Sequence, residues 1–536
     1  LSAAKRNYLE VSSLLALTSS QVISLTTTQI ADLSTSAIAA LNTNTIGSLT
    51  TAQIAALTTD QAANLTTTTV KALTTKQIAV LENEDLAVLT SENVAALTSV
   101  QLQALTTSQI AGLSSQQVFD LNATTLQALT TRQVAALETR DVAAMSTVSL
   151  SNLLSTQLQA LTTAQIAGLS SQQLVDLSTT TLKNLASSQI AAIETTDISA
   201  LTTVQLRALS SVQQQALTTA QVSNLTNEQL LGLSSTALGS LTTQQLSALN
   251  ATKLNNLDTA SVTGLIGSQL ASLTTTQTAG LSTDIVASLN TNAIGSLTTA
   301  QIAALTTDQA ANLTTTTVKA LTTRQIAVLE NEDLAVLTSE NVAALTSVQL
   351  QALTTSQIAG LSSQQVFDLN ATTLQALTTR QVAALETRDV AAMSTVSLSN
   401  LLSTQLQALT TAQIAGLSSQ QLVDLSTTTL KNLASSQIAA IETTDVSVLS
   451  TVQLLALSST QLRALNTAQV VELTSDQLAG LSSAAVAALT TQQLSVLSAA
   501  KRNYLDVSSL LALTSSQVIS LTTTQIADLS TSAIAA

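Results

Sequence analysis

The chain of 536 residues carries 17 Lys and Arg against 31 Asp and Glu, a net charge of −14 spread too thinly to act as an acidic tail or a steering field. It has no Pro, Cys, His or Trp and only 1% aromatic residues. The commonest general base, the commonest low-pKa nucleophile, disulfides and the ligand sets for zinc, copper, haem or iron–sulfur clusters are therefore missing, so no cofactor, metal or catalytic residue is expected.

The chain opens on Leu1-Ser2-Ala3-Ala4-Lys5-Arg6-Asn7-Tyr8, with no initiator Met and no signal-peptide pattern, and so reads as an excerpt. Lys5-Arg6, which recurs at Lys501-Arg502, is the nearest thing to a cationic cluster. Scattered single cations do not make a phosphate-tracking surface, so no nucleic-acid partner is expected. Thr, Ser or Gln interrupts every apolar stretch before it reaches the roughly 18 residues of a membrane span.

From Leu1 onward the period is eight. Every eighth residue to Leu529 is Leu except Met145, Ile193, Met393 and Ile441, which makes 63 of 67 octad leaders Leu with no insertion or deletion. Leu49-Thr50-Thr51-Ala52-Gln53-Ile54-Ala55-Ala56 is representative. With Thr50 as helix N-cap, Gln53 falls at N3, the spacing of a reciprocal capping box, while Leu49 and Ile54 fall at the two positions of a hydrophobic staple. Each octad is thus predicted to be a very short capped helix followed by a sharp return at the next Leu-Thr.

Charges follow the same phase. Glu84, Asp85, Glu92 and Glu228 stand at positions four and five, near a helix start, and Lys71, Lys183 and Arg207 at position seven, near its end. Lys76, Arg132 and Arg140 at position four run against the trend. The alternative is a β-solenoid, since Thr, Val and Ile favour strands and short repeats also build β coils. Apolar positions one, six and nine break strand alternation, however, and abundant Ala, Leu and Gln favour helix. The fold class is accordingly all-α, a solenoid in which no octad folds alone and neighbours must stack.

Further along, Glu82, Glu84 and Asp85, with their copy Glu330, Glu332 and Asp333, form the densest acidic cluster. Lacking a Gly-rich loop or Asp-x-Asp-x-Asp spacing, it reads as helix-start electrostatics in preference to a Ca²⁺ site. Asn64-Leu65-Thr66 and Asn122-Ala123-Thr124 match the glycosylation acceptor pattern. Phe119 and Phe367 occupy position seven, and Lys5 to Tyr8 and Lys501 to Tyr504 hold both tyrosines of the chain. These are either lateral contacts between fibre strands or drifted octads.

A longer period overlies the octads. Residues 49–197 recur almost verbatim at 297–445, an offset of 248 residues or 31 octads, and the first forty residues recur at 497–536, an offset of 496. Because 31 is divisible by neither two nor three, octads must be nearly interchangeable in the stack if a coil holds two or three of them. No composition shift marks a boundary, so residues 1–536 are expected to form a single continuous domain.

The Leu-Thr-Thr-x-Gln-Ile-x-Ala octads resemble those of the giant Leu-Thr-Thr-x-Gln repeat proteins of Gram-negative bacteria over the entire chain. That resemblance implies a cell-surface or extracellular setting and structural work, and it transfers no site residue. The expected function is an extracellular filament, stalk or sheath made by self-association, with no small-molecule substrate. The stalk of an adhesin whose binding domain lies elsewhere is the alternative. Ice or carbohydrate binding by regular Thr rows is a third reading, and it requires flat β spacing.

Overall fold

The structure, a computed structural model, describes residues 16–527. The chain divides into two compact units, residues 1–265 and 266–536. The boundary falls inside an octad, and the frame carries no cue to it, because the octads on either side share one pattern. Each unit is built in the same way.

Among the described residues there are 63 α-helices of four to six residues, one 3₁₀ helix at Thr443–Val448, and no strand. The all-α reading therefore holds, and the β-solenoid is set aside together with the flat Thr rows it would have supplied. Helix Thr51–Ile54 shows why the chain folds this way locally. Thr50 is extended (φ −70°, ψ 158°), and its Oγ1 accepts the Gln53 N–H at 3.2 Å while Gln53 Oε1 accepts the Thr50 N–H at 2.8 Å. Both halves of the capping box are thus formed, satisfying two backbone donors that a helix start leaves open.

At the other end the helix closes on a tighter bond, Leu57 N–H donating to Ile54 O at 3.2 Å. The leader Leu is itself extended, as at Leu49 (φ −56°, ψ 141°), so Leu and Thr form a two-residue link between helices. No described residue has a positive φ. This is how a chain with 12 Gly and no Pro turns at every octad: the link uses backbone angles that any L residue adopts.

Packing sets the coil. Within each unit, helices lie against those three octads further on, as Ser115–Phe119 does against Thr139–Ala144 in the first and Ser363–Phe367 against Thr387–Ala392 in the second, so one coil is 24 residues. The leader Leu and the apolar residue at position six fill the interior, with Ile54 at 0% exposure and Leu57 at 5%. Octads that break the cap rule test the local argument. Ala186 occupies the N-cap before helix Ser187–Ala192 and offers no side-chain acceptor, although Gln189 Oε1 still takes its N–H at 2.7 Å. Ala186→Thr is expected to stabilise that octad by about 1 kcal/mol, read as slower local amide exchange in helix Ser187–Ala192.

Candidate functional site

The polar groups that organise the molecule sit at the fifth octad position. Gln53 is 2% exposed, yet its amide is fully used: Oε1 closes the capping box, and Nε2 donates to Val22 O at 2.9 Å and Leu25 O at 2.7 Å in the preceding coil. Gln165 repeats this with Val134 O at 3.0 Å and Leu137 O at 2.6 Å. In the second unit Gln413 does so with Val382 O at 3.1 Å and Leu385 O at 2.6 Å. One side chain therefore starts its own helix and ties that helix to the link one coil back. Sequence reasoning finds the first role and misses the second. The cue is present nonetheless: Glu, which serves a capping box as well as Gln does, stands at none of the 67 fifth positions.

Replacements at this position sort by whether they donate. Asn93 and Asn341 reach the corresponding leader carbonyls, Leu65 O at 2.7 Å and Leu313 O at 2.6 Å. Lys253 Nζ donates to Ser223 O and to Leu225 O at 2.8 Å, and Ser509 Oγ to Leu481 O at 3.2 Å. Ala37, Ala237, Ile285 and Ala293 have no side-chain donor, Thr69 donates to Thr66 O of its own turn at 2.9 Å, and Asp alone among the buried replacements brings an acidic group. Asp85, Asp141, Asp333 and Asp389 are at most 2% exposed, and an ionised carboxylate has no proton to give. Ser115 Oγ donates to Asp141 at 2.8 Å and Ser363 Oγ to Asp389 at 2.7 Å. Burial pushes all four carboxyls above their ordinary range. At Asp85 and Asp333 the adjacent glutamates add to that, and both reach about 6.

These aspartates mark a period between the octad and the 248-residue repeat. Glu-x-x-Asp octads begin at Leu81, Leu137 and Ile193, and again at Leu329, Leu385 and Ile441, each step being 56 residues. Position two is then Glu, whose side chain makes no cap bond, as at Glu82 and Glu138. Arg140 reaches back to Glu138 at 2.7 Å and to Asp141 at 3.5 Å, a pairing that Arg388 copies.

The other residues marked from sequence disperse. Glu82 and Glu84 are exposed while Asp85 turns inward, and no metal-holding group of three forms among the described residues. Lys501 takes the glutamine role, donating to Val471 O and to Leu473 O at 2.9 Å. Arg502 is buried with Nη1 on Leu497 O, which leaves Asn503 and Tyr504, the latter 49% exposed, for a lateral contact. Lys5 to Tyr8 lie outside the described residues. Phe119 and Phe367 are each 46% exposed. Asn64 is exposed with Nδ2 on Asp60 O at 2.8 Å, and Asn122 is an N-cap whose Oδ1 accepts from Thr124 N at 3.0 Å and Thr125 N at 3.1 Å. Surface recesses are open, such as one of about 240 Å³ lined by Asn227, Glu228, Leu231, Asn255, Asn256 and Leu257, which holds no nucleophile beside a base. No described helix is long and apolar enough to cross a membrane.

A stack of identical capped turns tied by buried amides defines a helical repeat protein. The ALTTAQ repeat model matches at residues 35–67, 78–115, 134–171, 190–227, 284–315, 326–363, 382–419 and 438–475, more than half of the chain, and the chain belongs to that family. Its six letters stand verbatim at Ala160 to Gln165. No curated protein matches. Nine solved chains match. One of them, titled "Structure of APUM23-GGAAUUGACGG", aligns over 98% of this chain and 93% of its own at 13% identity with a TM-score of 0.13, a likeness that carries no argument. Family and architecture together give the protein a structural repeat role.

Proposed function

We propose that the chain is a self-assembling structural element that forms a filament, stalk or sheath at the cell surface or outside the cell. The observation that carries this is the polarity of the coil. Every coil offers buried amide donors toward one neighbour and leader carbonyls toward the other, as Gln165 and Leu137 do at 2.6 Å. Two unlike, mutually complementary faces make a head-to-tail contact, which propagates where a two-fold contact would close. The same donors and acceptors recur at each coil, so a coil of a second copy meets the register that a coil of the same chain meets. The location rests on the resemblance to giant bacterial surface repeat proteins.

Electron micrographs of the purified chain test the assembly. Fibres with an axial spacing of about 8–10 Å, the distance between stacked helix layers, are expected. A monodisperse particle at all concentrations sinks the proposal. Antibody labelling of intact cells tests the location separately.

A further inference from the structure

The buried aspartates hold the octad position from which glutamine and asparagine donate to a leader carbonyl one coil back. Oδ2 of Asp85, Asp141, Asp333 and Asp389 is buried with no hydrogen-bond partner among the described residues. The leaders 28 residues earlier, where a glutamine amide would donate, are Leu57, Leu113, Leu305 and Leu361, and their carbonyl oxygens accept no hydrogen bond from the described residues. Asn has the shape of Asp, and Asn93 Nδ2 reaches the carbonyl of Leu65, also 28 residues earlier, at 2.7 Å. At the same octad position, Asp85 brings a carboxylate oxygen where Asn93 brings its N–H donor.

We propose that a proton from solvent completes this coupling, binding Asp85 Oδ2 and donating to Leu57 O, so that the Glu-x-x-Asp octads are coil-to-coil joints that acid tightens and neutral pH loosens. One O–H bond forms on the carboxylate, the proton's carrier in water loses it, and no other covalent bond changes. Asp141 to Leu113, Asp333 to Leu305 and Asp389 to Leu361 follow the same register.

The charges around each joint fit the role. Glu82 and Glu84 act on Asp85, and Glu330 and Glu332 on Asp333, all favouring the protonated acid. Of the two helices packed on the Asp85 helix, Thr59–Ala63 brings the exposed Asp60, and Thr107–Ala111 carries no ionisable residue. The Asp333 helix has Asp308 in Thr307–Ala311 and no ionisable residue in Thr355–Ala359. At Asp141 and Asp389 the charged neighbours are Glu138 with Arg140 and Glu386 with Arg388. There the packed helices Ser115–Phe119, Thr163–Ala167, Ser363–Phe367 and Thr411–Ala415 carry no ionisable residue, and Asp120 and Asp368 follow the first and third of these. Arg140 and Arg388 therefore oppose protonation and weaken the response at those two joints.

The sign is that of a carboxyl raised on folding. From an ordinary 3.8 to about 6 at Asp85, the added stability is complete at the acid end and is lost as pH rises through about 6. Hydrogen exchange of the full chain in EDTA, corrected for intrinsic rates, is the test. Protection in octads 57–64 and 81–88 should rise roughly tenfold between about pH 7.5 and about pH 5. Asp85→Asn should hold that protection high at both pH values, because the amide donates without a proton. Asn93→Asp should implant the acid response between octads 65–72 and 89–96. An acid response that survives in Asp85→Asn, an Asn93→Asp chain that gains none, or protection restored at neutral pH by added calcium in place of acid would overturn the proposal.

Discussion

Gln165→Glu is expected to destabilise the coils it joins by about 3–5 kcal/mol at neutral pH, whereas Gln165→Lys is expected to cost only about 1–2 kcal/mol. Both substitutions bring a charge of one unit to a site that is 1% exposed. They differ in what they do to the acceptors at Val134 O and Leu137 O, which Gln165 Nε2 contacts at 3.0 and 2.6 Å. Glu keeps the cap bond to Thr162 N–H and turns a second acceptor toward those carbonyls. Lys gives up the cap and keeps donors, as Lys253 does toward Leu225 O at 2.8 Å. Amide exchange in octads 129–144 and 161–168 is the measure, because a stacked array opens locally. Equal losses in the two variants would remove the donor role.

Leu126→Ala should cost about 2–5 kcal/mol, the range for emptying a buried leucine site. Leu126 is fully buried at position six, and its carbonyl accepts from Gln157 Nε2 at 2.8 Å. The loss should appear in the coils immediately around it and leave octads several coils away at wild-type protection. Val148→Ala, at a position 68% exposed, serves as the control and should change stability by less than about 0.5 kcal/mol. A loss of protection spread evenly over the whole unit would contradict nearest-neighbour stacking.

Much of the local structure is legible in the residues. Thr50 at the cap, Gln53 at N3 and Ile54 on the inner face are all recoverable from spacing alone, because a helix start is a contact between residues three or four apart. The coil is not recoverable in that way. Gln53 meets Leu25 across 28 residues, and since nearly every octad offers a leader carbonyl, no pairing pattern in the sequence singles out three octads over two. The inward turn of Arg502 and the carbonyl contacts of Lys501 are hidden for a related reason. Long cationic side chains read as surface residues until the backbone carbonyls they bond are found beneath them.

The uniformity of the described side chains also has a physical root. In an ordinary enzyme, side chains of different kinds converge from distant elements. Here any two positions that meet are related by the repeat, so neighbours are alike, and the few departures, such as Asp85 among glutamines, stand out against that uniformity.

Because most octads present a glutamine amide on one side and a leader carbonyl on the other, the gene can lengthen or shorten by eight codons at a time with the same contacts re-formed at most positions. Unequal recombination between two such copies leaves the reading frame of contacts intact, and the near-verbatim recurrence of residues 49–197 at an offset of 31 octads, ten coils and one octad, is what such a history leaves behind. Reach can then evolve as a freely adjustable quantity, independent of the chemistry that holds each turn together.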